Sequence, residues 1–190
     1  MKNHDLFNTF QSVLSDLVPL NNAEFKVALS GGLDSVVLLH LFSRLKKTPS
    51  KLQITAHHVH HGLSKNADHW NEFCQQLCHE LNIPLLTSHV SLDKKSRTSL
   101  EALARDKRYS ALKENFNPHS YLVTAHHQDD QLETVLLALK RGAGLAGLQG
   151  IIAQQKLTVG YLIRPLLNFS REQLESYAAH FQLTWIEDES

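Results

Sequence analysis

The stretch from Lys26 to Phe42 constrains this chain most: a short apolar run at 25–29, the turn Ser30-Gly31-Gly32, and a second run at 34–44 that is apolar on most faces. The first run predicts a buried strand and the second a buried helix. A strand that turns through two glycines into a helix makes an anion site. The helix start offers unpaired N–H groups and a partial positive charge. Gly31 and Gly32 let the backbone approach a phosphate, and Ser30 and Ser35 add hydroxyl donors. Asp34 does not suit that site alone, because a carboxylate repels phosphate. It suits the site where a divalent cation such as Mg²⁺ bridges it to the phosphates. It also suits a simple helix cap. The loop lacks the Gly-Lys-Ser/Thr of a Walker loop and the third glycine of a dinucleotide fingerprint.

A chain of 190 residues is long enough for one α/β domain. Its 19 basic and 19 acidic residues cancel, so any RNA contact must come from local patches. No apolar run approaches the ~20 residues of a membrane span, and residues 1–10 lack a signal-peptide core. The expectation is a cytoplasmic protein. Cys74 and Cys78 lie four apart in a helical segment, which is not Cys-x-x-Cys spacing, and read as buried thiols.

Helical spacing at 6–18 closes on Pro19. Residues 51–59 predict a second strand, which runs into His57-His58-Val59-His60-His61-Gly62-Leu63. Clustered histidines invite a metal reading, but no Cys, Asp or Glu lies near enough in sequence to complete a site. Residues 67–81 predict a helix with Trp70, Phe73, Leu77 and Leu81 as its apolar stripe, and 85–90 a third strand. Residues 91–97 are polar and basic, as in a loop. The helix expected at 99–116 places Glu101, Arg105 and Arg108 on one face, either a solvated ion-pair stripe or a basic surface for phosphate.

A fourth strand at 120–125 ends in Thr124-Ala125-His126-His127-Gln128-Asp129-Asp130-Gln131-Leu132-Glu133-Thr134, which opens another helix. Leu132, Val135, Leu136 and Leu139 are expected to be its buried stripe. Asp130 and Glu133 lie one turn apart, and His126 lies four before Asp130, so an imidazole and two carboxylates can converge beyond the strand. Residues 141–150 hold Gly142, Gly144, Gly147 and Gly150, either a lid or a tight loop packed by Leu145 and Leu148. Residues 159–166 predict a fifth strand, and Ser170 caps the next helix with Glu172 in its first turn. Alternating strands and helices argue for a parallel sheet with right-handed crossovers. Ligands bind such sheets outside the carboxyl ends of the strands, at the switch point.

Five segments carry a resemblance: 30–35, 57–63, 101–109, 124–150 and 164–190. The Ser-Gly-Gly-x-Asp-Ser loop resembles that of the PP-loop ATP pyrophosphatases. The Thr-Ala-His-His-x-Asp-Asp-Gln-x-Glu-Thr block and the Arg-Gly-x-Gly-Leu-x-Gly-Leu run after it resemble the tRNA(Ile)-lysidine synthase family. That resemblance implies a Rossmann-like, doubly wound parallel sheet of five strands in the order 3-2-1-4-5, of the adenine nucleotide alpha hydrolase type, with helices on both faces. It implies that residues 1–190 are the ATP-binding catalytic domain, with the family's tRNA-binding domains outside this chain. It implies a C–N ligase that adenylates the C2 oxygen of the wobble cytidine of an isoleucine tRNA, releasing pyrophosphate. Free L-lysine then displaces AMP to form lysidine.

The implied cofactors are ATP and Mg²⁺. The implied ATP site is Ser30, Gly31, Gly32, Leu33, Asp34 and Ser35, with Asp34 toward the metal. The implied catalytic group is Asp34, Asp130, His126 and Arg105, and lysine falls to Asp130 and Glu133. The histidine segment 57–63 is implied to line the nucleotide side of the cleft. Other readings are a tRNA thiolase, an amidotransferase synthetase domain, or a nucleotide-binding module without catalysis. The absence of paired Cys-x-x-Cys motifs weighs against a thiolase, and the clustered acids weigh against a passive module. Oligomeric state is open.

Overall fold

The computed structural model describes residues 3–46, 52–60, 66–90, 100–144 and 148–187. His61, Gly62 and Leu63, the polar loop at 91–97, Leu145 and Gly147, and residues 188–190 lie outside these, and so does the side chain of Glu101.

Twelve elements follow in order: α1 (Asn3–Leu17), β1 (Glu24–Ala28), α2 (Leu33–Lys46), β2 (Gln53–His60), α3 (Ala67–Glu80), β3 (Leu85–His89), α4 (Leu100–Leu112), β4 (Ser120–Val123), α5 (Gln128–Lys140), β5 (Gln154–Lys156), β6 (Tyr161–Ile163) and α6 (Arg171–His180). The sheet order is β3-β2-β1-β4-β6-β5. The first five are mutually parallel, in the 3-2-1-4-5 order expected. The sixth strand was not expected. β5 pairs antiparallel with β6 at the edge, and its residues are Gln154, Gln155 and Lys156, all exposed. A polar edge strand this short has no apolar alternation to betray it, and its lysine suits an edge that must resist further pairing. The turn between β5 and β6 needs Gly160, whose φ is +73° and whose missing Cβ would collide with the Ser120 carbonyl.

Alternation on the central strands divides the core. Phe25, Val27, Tyr121, Val123 and Ile163 join the large cluster built with α1, α2, α3 and α6. Leu122, Leu162 and Val59 instead meet Ala111 and Leu112 of α4. α2 is buried nearly all round, from Leu33 to Leu45, as its apolar sequence requires. α3 buries Ala67, Cys74, Leu77 and Cys78, while Trp70 and Phe73 are half-buried, so the stripe turns toward the two cysteines. Both thiols are free, and burial pushes each up to about 12.

The expected buried stripe of α5 is wrong. The helix has no buried residue, and Leu132, Leu136 and Leu139 are more than half exposed. The periodicity found the apolar face but could not find its cover. Both faces of the sheet at β4 and β6 are already occupied, one by α1, α2 and α6 and the other by α4. α5 is left standing away from the sheet.

Candidate active site

The loop after β1 is held by its own serines. Ser35 Oγ accepts the Gly31 N–H at 3.2 Å and donates to the Gly32 carbonyl at 2.9 Å. Ser30 Oγ accepts the Gly32 N–H at 3.3 Å and lies 3.1 Å from Ser35 Oγ. Gly31 has φ +96°, and a Cβ there would press on Ile186 Cδ1 at 3.0 Å. Ile186 also donates its N–H to the Gly31 carbonyl at 2.9 Å, so the segment after α6 braces the loop from behind. The apolar run at 185–186 thus serves the loop and extends no strand. Leu33 is buried in the core, and only its backbone is available to a ligand.

Beside the loop, beyond the ends of β1 and β4, lies a cleft of about 390 Å³. Ser30, Gly32, Asp34 and Ser35 form one wall, and Thr124, His126 and Asp130 another. α4 adds Arg105, Arg108 and Tyr109. Trp70, Leu112 and Val59 supply an apolar flank. Seven of the ten residues singled out for the nucleotide, catalysis and lysine therefore meet in one place, and of the loop residues Leu33 offers only its backbone and Gly31 lies on the loop's underside. Glu133 is exposed one turn along α5 and is outside the cleft wall.

Asp34 caps no helix among the described residues. Its Oδ2 lies 3.5 Å from His127 Nε2, and its Oδ1 is buried with no hydrogen-bond partner. A buried carboxylate oxygen without a donor is costly unless a cation or water answers it. Asp130 Oδ2 accepts the His127 N–H at 2.8 Å and lies 3.6 Å from His127 Nε2. One oxygen of Asp130 is thus tied to the start of α5. His127 Nδ1 accepts the Asp129 N–H at 3.2 Å, which completes the capping box.

His127 is the residue sequence reasoning missed. A histidine is an unusual N-cap, so only its place between two acids in the folded chain reveals it. Its hydrogen bond to Asp34 and the charges of Asp130, Asp34 and Asp129 raise its pKa against the effect of burial. His126, next in sequence, is pushed the other way. Burial and the charges of Arg164 and Arg105 lower its pKa, opposed by Asp130, and its Nδ1 lies 2.9 Å from Thr124 Oγ1. The pair thus offers a neutral ring to the cleft and a charge-bridging ring beneath it.

The histidines of β2 also face this region. His57 and His58 both line the cleft. His58 Nδ1 donates to the Leu29 carbonyl at 2.9 Å, and His57 Nε2 lies 2.9 Å from Ser88 Oγ. Burial lowers both pKa values, that of His57 to about 4 with help from Lys26. His60 turns to Asp68 at 3.0 Å. Among the described residues no cluster of His, Cys, Asp and Glu forms a ready metal centre.

Residues 4–190 match the PP-loop domain family. The chain belongs to that family. Among curated relatives, the tRNA(Ile)-lysidine synthase of Haemophilus influenzae is 52% identical over 87% of this chain and 39% of its own length. That of Actinobacillus pleuropneumoniae is 47% identical over 97% of this chain and 42% of its own. The chain thus spans about two fifths of the relatives it matches. Solved structures give the fold alone. The U34-tRNA thiolase of Methanococcus maripaludis superposes with a TM-score of 0.75 at 19% identity, over 98% of this chain and 67% of that one. An NMN synthetase from Francisella tularensis gives 0.60 at 18%, over 97% and 72%.

Proposed function

We propose that this PP-loop domain is the ATP-cleaving catalytic part of a tRNA(Ile)-lysidine synthase. The observation that carries the reading is the cleft itself, where the phosphate-type loop of β1 meets Asp130 and His126 at the end of β4. Near-half identity to enzymes of that name over almost the whole chain supports it.

ATP lies with its phosphates on the loop amides at the start of α2, where the helix dipole favours anions. The buried Oδ1 of Asp34 fits Mg²⁺, a hard cation that takes carboxylate oxygens. When bound there, the metal neutralises charge on the phosphates. Arg105 and Arg108 approach from α4 and offset charge that builds up as pyrophosphate leaves. The cytidine C2 oxygen attacks the α-phosphate. His126, kept neutral, orients the adenylated base by hydrogen bonding. Lysine then enters beside α5. Its ε-ammonium is not nucleophilic, so Asp130 accepts a proton from it, with Glu133 as a second carboxylate for the cation. AMP departs. The reaction needs a cytoplasmic supply of isoleucine tRNA, ATP and free L-lysine. No described helix is long and apolar enough to cross a membrane.

The test joins this chain to the remaining length of the Haemophilus influenzae relative. Release of AMP and pyrophosphate is measured with and without isoleucine tRNA and lysine, with mass spectrometry of the anticodon nucleoside. Lysidine formation dependent on all three supports the proposal. Turnover of ATP with thiolated or unmodified cytidine overturns it.

A further inference from the structure

Arg164, just past the end of β6, is only 8% exposed, and among the described residues no other arginine or lysine is buried. A charge out of water normally has a carboxylate beside it. Arg164 takes part in no ion pair among the described residues. Asp16 borders the same small hollow beside α1 but forms no ion pair with it. Nη1 donates to the Ile152 carbonyl at 2.6 Å, and the buried Nε has no partner. Burial lowers the pKa of the guanidinium, and the Tyr109 hydroxyl, which accepts from it, favours the charged form. No step of the proposed chemistry uses this residue.

The strand decides where the side chain goes. Leu162 faces α4 and Ile163 the opposite cluster, so Arg164 faces α4 again. There it meets Tyr109, which lines the cleft. Arg105, one turn back on α4, sets its Cζ 5.6 Å from the centre of the same ring. One arginine therefore holds the phenol at its hydroxyl and another lies over its face. On the β4 side, Thr124 donates its N–H to the Ile163 carbonyl at 3.1 Å, and Thr124 Oγ1 lies 2.9 Å from His126 Nδ1. The charged and titratable groups that act on His126 are Arg164 foremost, then Asp130, Arg105 and His127. Arg164 thus stands one layer behind the cleft, at the back of two residues that form its wall.

We infer that Arg164 is a positioning residue of the cleft, which fixes Tyr109 through its hydroxyl and makes the corner beside His126 a seat for an anion. In the protein alone its charge has no acid to answer it. An anion in the cleft answers it without displacing any protein contact. His126 stays uncharged in that corner, because a positive neighbour disfavours a second positive charge. A lysine at 164 would supply the charge but not the planar fork that joins a carbonyl to a phenol. The nucleotide reading above identifies the anion as a phosphate, and the inference rests on that reading for this identity alone.

Two measurements on the 190-residue chain test the inference. NMR of isotope-labelled histidines gives the titration midpoint of each ring, and His126→Gln assigns the signal. Arg164→Gln should raise the His126 midpoint, whereas Arg164→Lys should leave it near that of the parent. Calorimetry with AMP and with adenosine reads the anion seat. Arg164→Gln should weaken AMP about tenfold, the effect of one charge across a cleft poor in water, and should leave adenosine unchanged. Arg164→Lys and Tyr109→Phe cut the tether from its two ends, and both are mild changes. Each should weaken AMP, and the double variant should bind no worse than the weaker single one, since one tether can be lost only once. Where Arg164→Gln does not fold, this cycle decides. A His126 midpoint or an AMP affinity unmoved by Arg164→Gln overturns the inference. So do equal losses of AMP and adenosine, which mark a scaffold role, and additive losses in the cycle. If the parent binds neither ligand, the nucleotide reading fails, and the His126 titration decides on Arg164 by itself.

Discussion

His127 Nε2 stands 3.5 Å from Asp34 Oδ2, so one ring ties the start of the helix after β1 to the start of the helix after β4. The two strands are neighbours in the sheet, paired from Glu24–Ser120 to Val27–Val123. Parallel neighbours end on the same side, and their loops must share space there. The contact with Asp34 is how this chain fixes that shared space. Because Nδ1 is already used on the Asp129 N–H, the Nε2 side is the one left to serve the two acids.

Replacing His127 separates its two duties. His127→Ala removes cap and bridge together and should cost about 1 kcal/mol of stability from the cap alone. His127→Asn keeps a side-chain acceptor at the cap but cannot span to Asp34. Its chemical-denaturation midpoint should stay within error of the parent, while adenylate formation falls at least tenfold. Equal activity in parent and Asn variant would show that the bridge does nothing for the reaction.

Asp34→Ala tests the loop. A capping aspartate would cost ~1 kcal/mol of stability with activity nearly kept. Here the side chain caps nothing and holds a buried, unanswered oxygen. The variant should therefore melt at or above the parent temperature and lose 100-fold or more in pyrophosphate release, the scale of removing one preorganised electrostatic group. Thermal melts and pyrophosphate assays on one preparation decide it.

Stability should fall in mild acid. The folded pKa of His57 is depressed to about 4 from 6.5, and that of His58 is depressed too. The unfolded chain takes up protons first as pH drops below 6.5, so stability is full above that value and is lost as pH falls toward about 4. For His57 the gap is worth at most about 3 kcal/mol. Urea midpoints at pH 7.5 and 5 measure the loss, and His57→Gln should flatten the dependence. A midpoint that is unchanged between the two pH values in the parent would show that the buried rings charge without cost.

The strand order and the loop were legible because they rest on long apolar runs and on residue types with one structural use. The apolar runs around Val27 and Leu38 could only be buried, and Gly31 could only be a turn. β5 was not legible, because Gln154 to Lys156 has no pattern and is paired only because β6 offers an edge. α5 was misread for the opposite reason. Its leucines have a perfect helical stripe, and periodicity cannot say whether the surface beneath is already taken. At the site, Asp34, His126, Asp130 and Arg105 could be nominated from chemistry and motif. His127 could not, because its importance is a matter of where its ring falls between two loops 93 residues apart in sequence.

The last prediction concerns lysine. Asp130 stands in the cleft wall, with one oxygen held by the His127 N–H, and Glu133 is exposed one turn beyond. Carboxylates one turn apart repel modestly in water and more strongly as a cleft excludes it. A bound ammonium relieves that repulsion, so the pair should matter more to lysine than to ATP. In the chimera that carries the relative's remaining length, Glu133→Gln should raise the lysine KM several-fold, with adenylate formation kept. Its exposure limits the effect, since a surface ion pair is worth about 1 kcal/mol or less. Asp130→Asn keeps an acceptor for the cap but removes the base. It should let adenylated tRNA accumulate in a rapid-quench time course, because the first step no longer drains into the second. If both variants lose ATP binding and keep their lysine KM, the acids serve the metal, and the lysine pocket must be sought nearer Arg105 and Arg108.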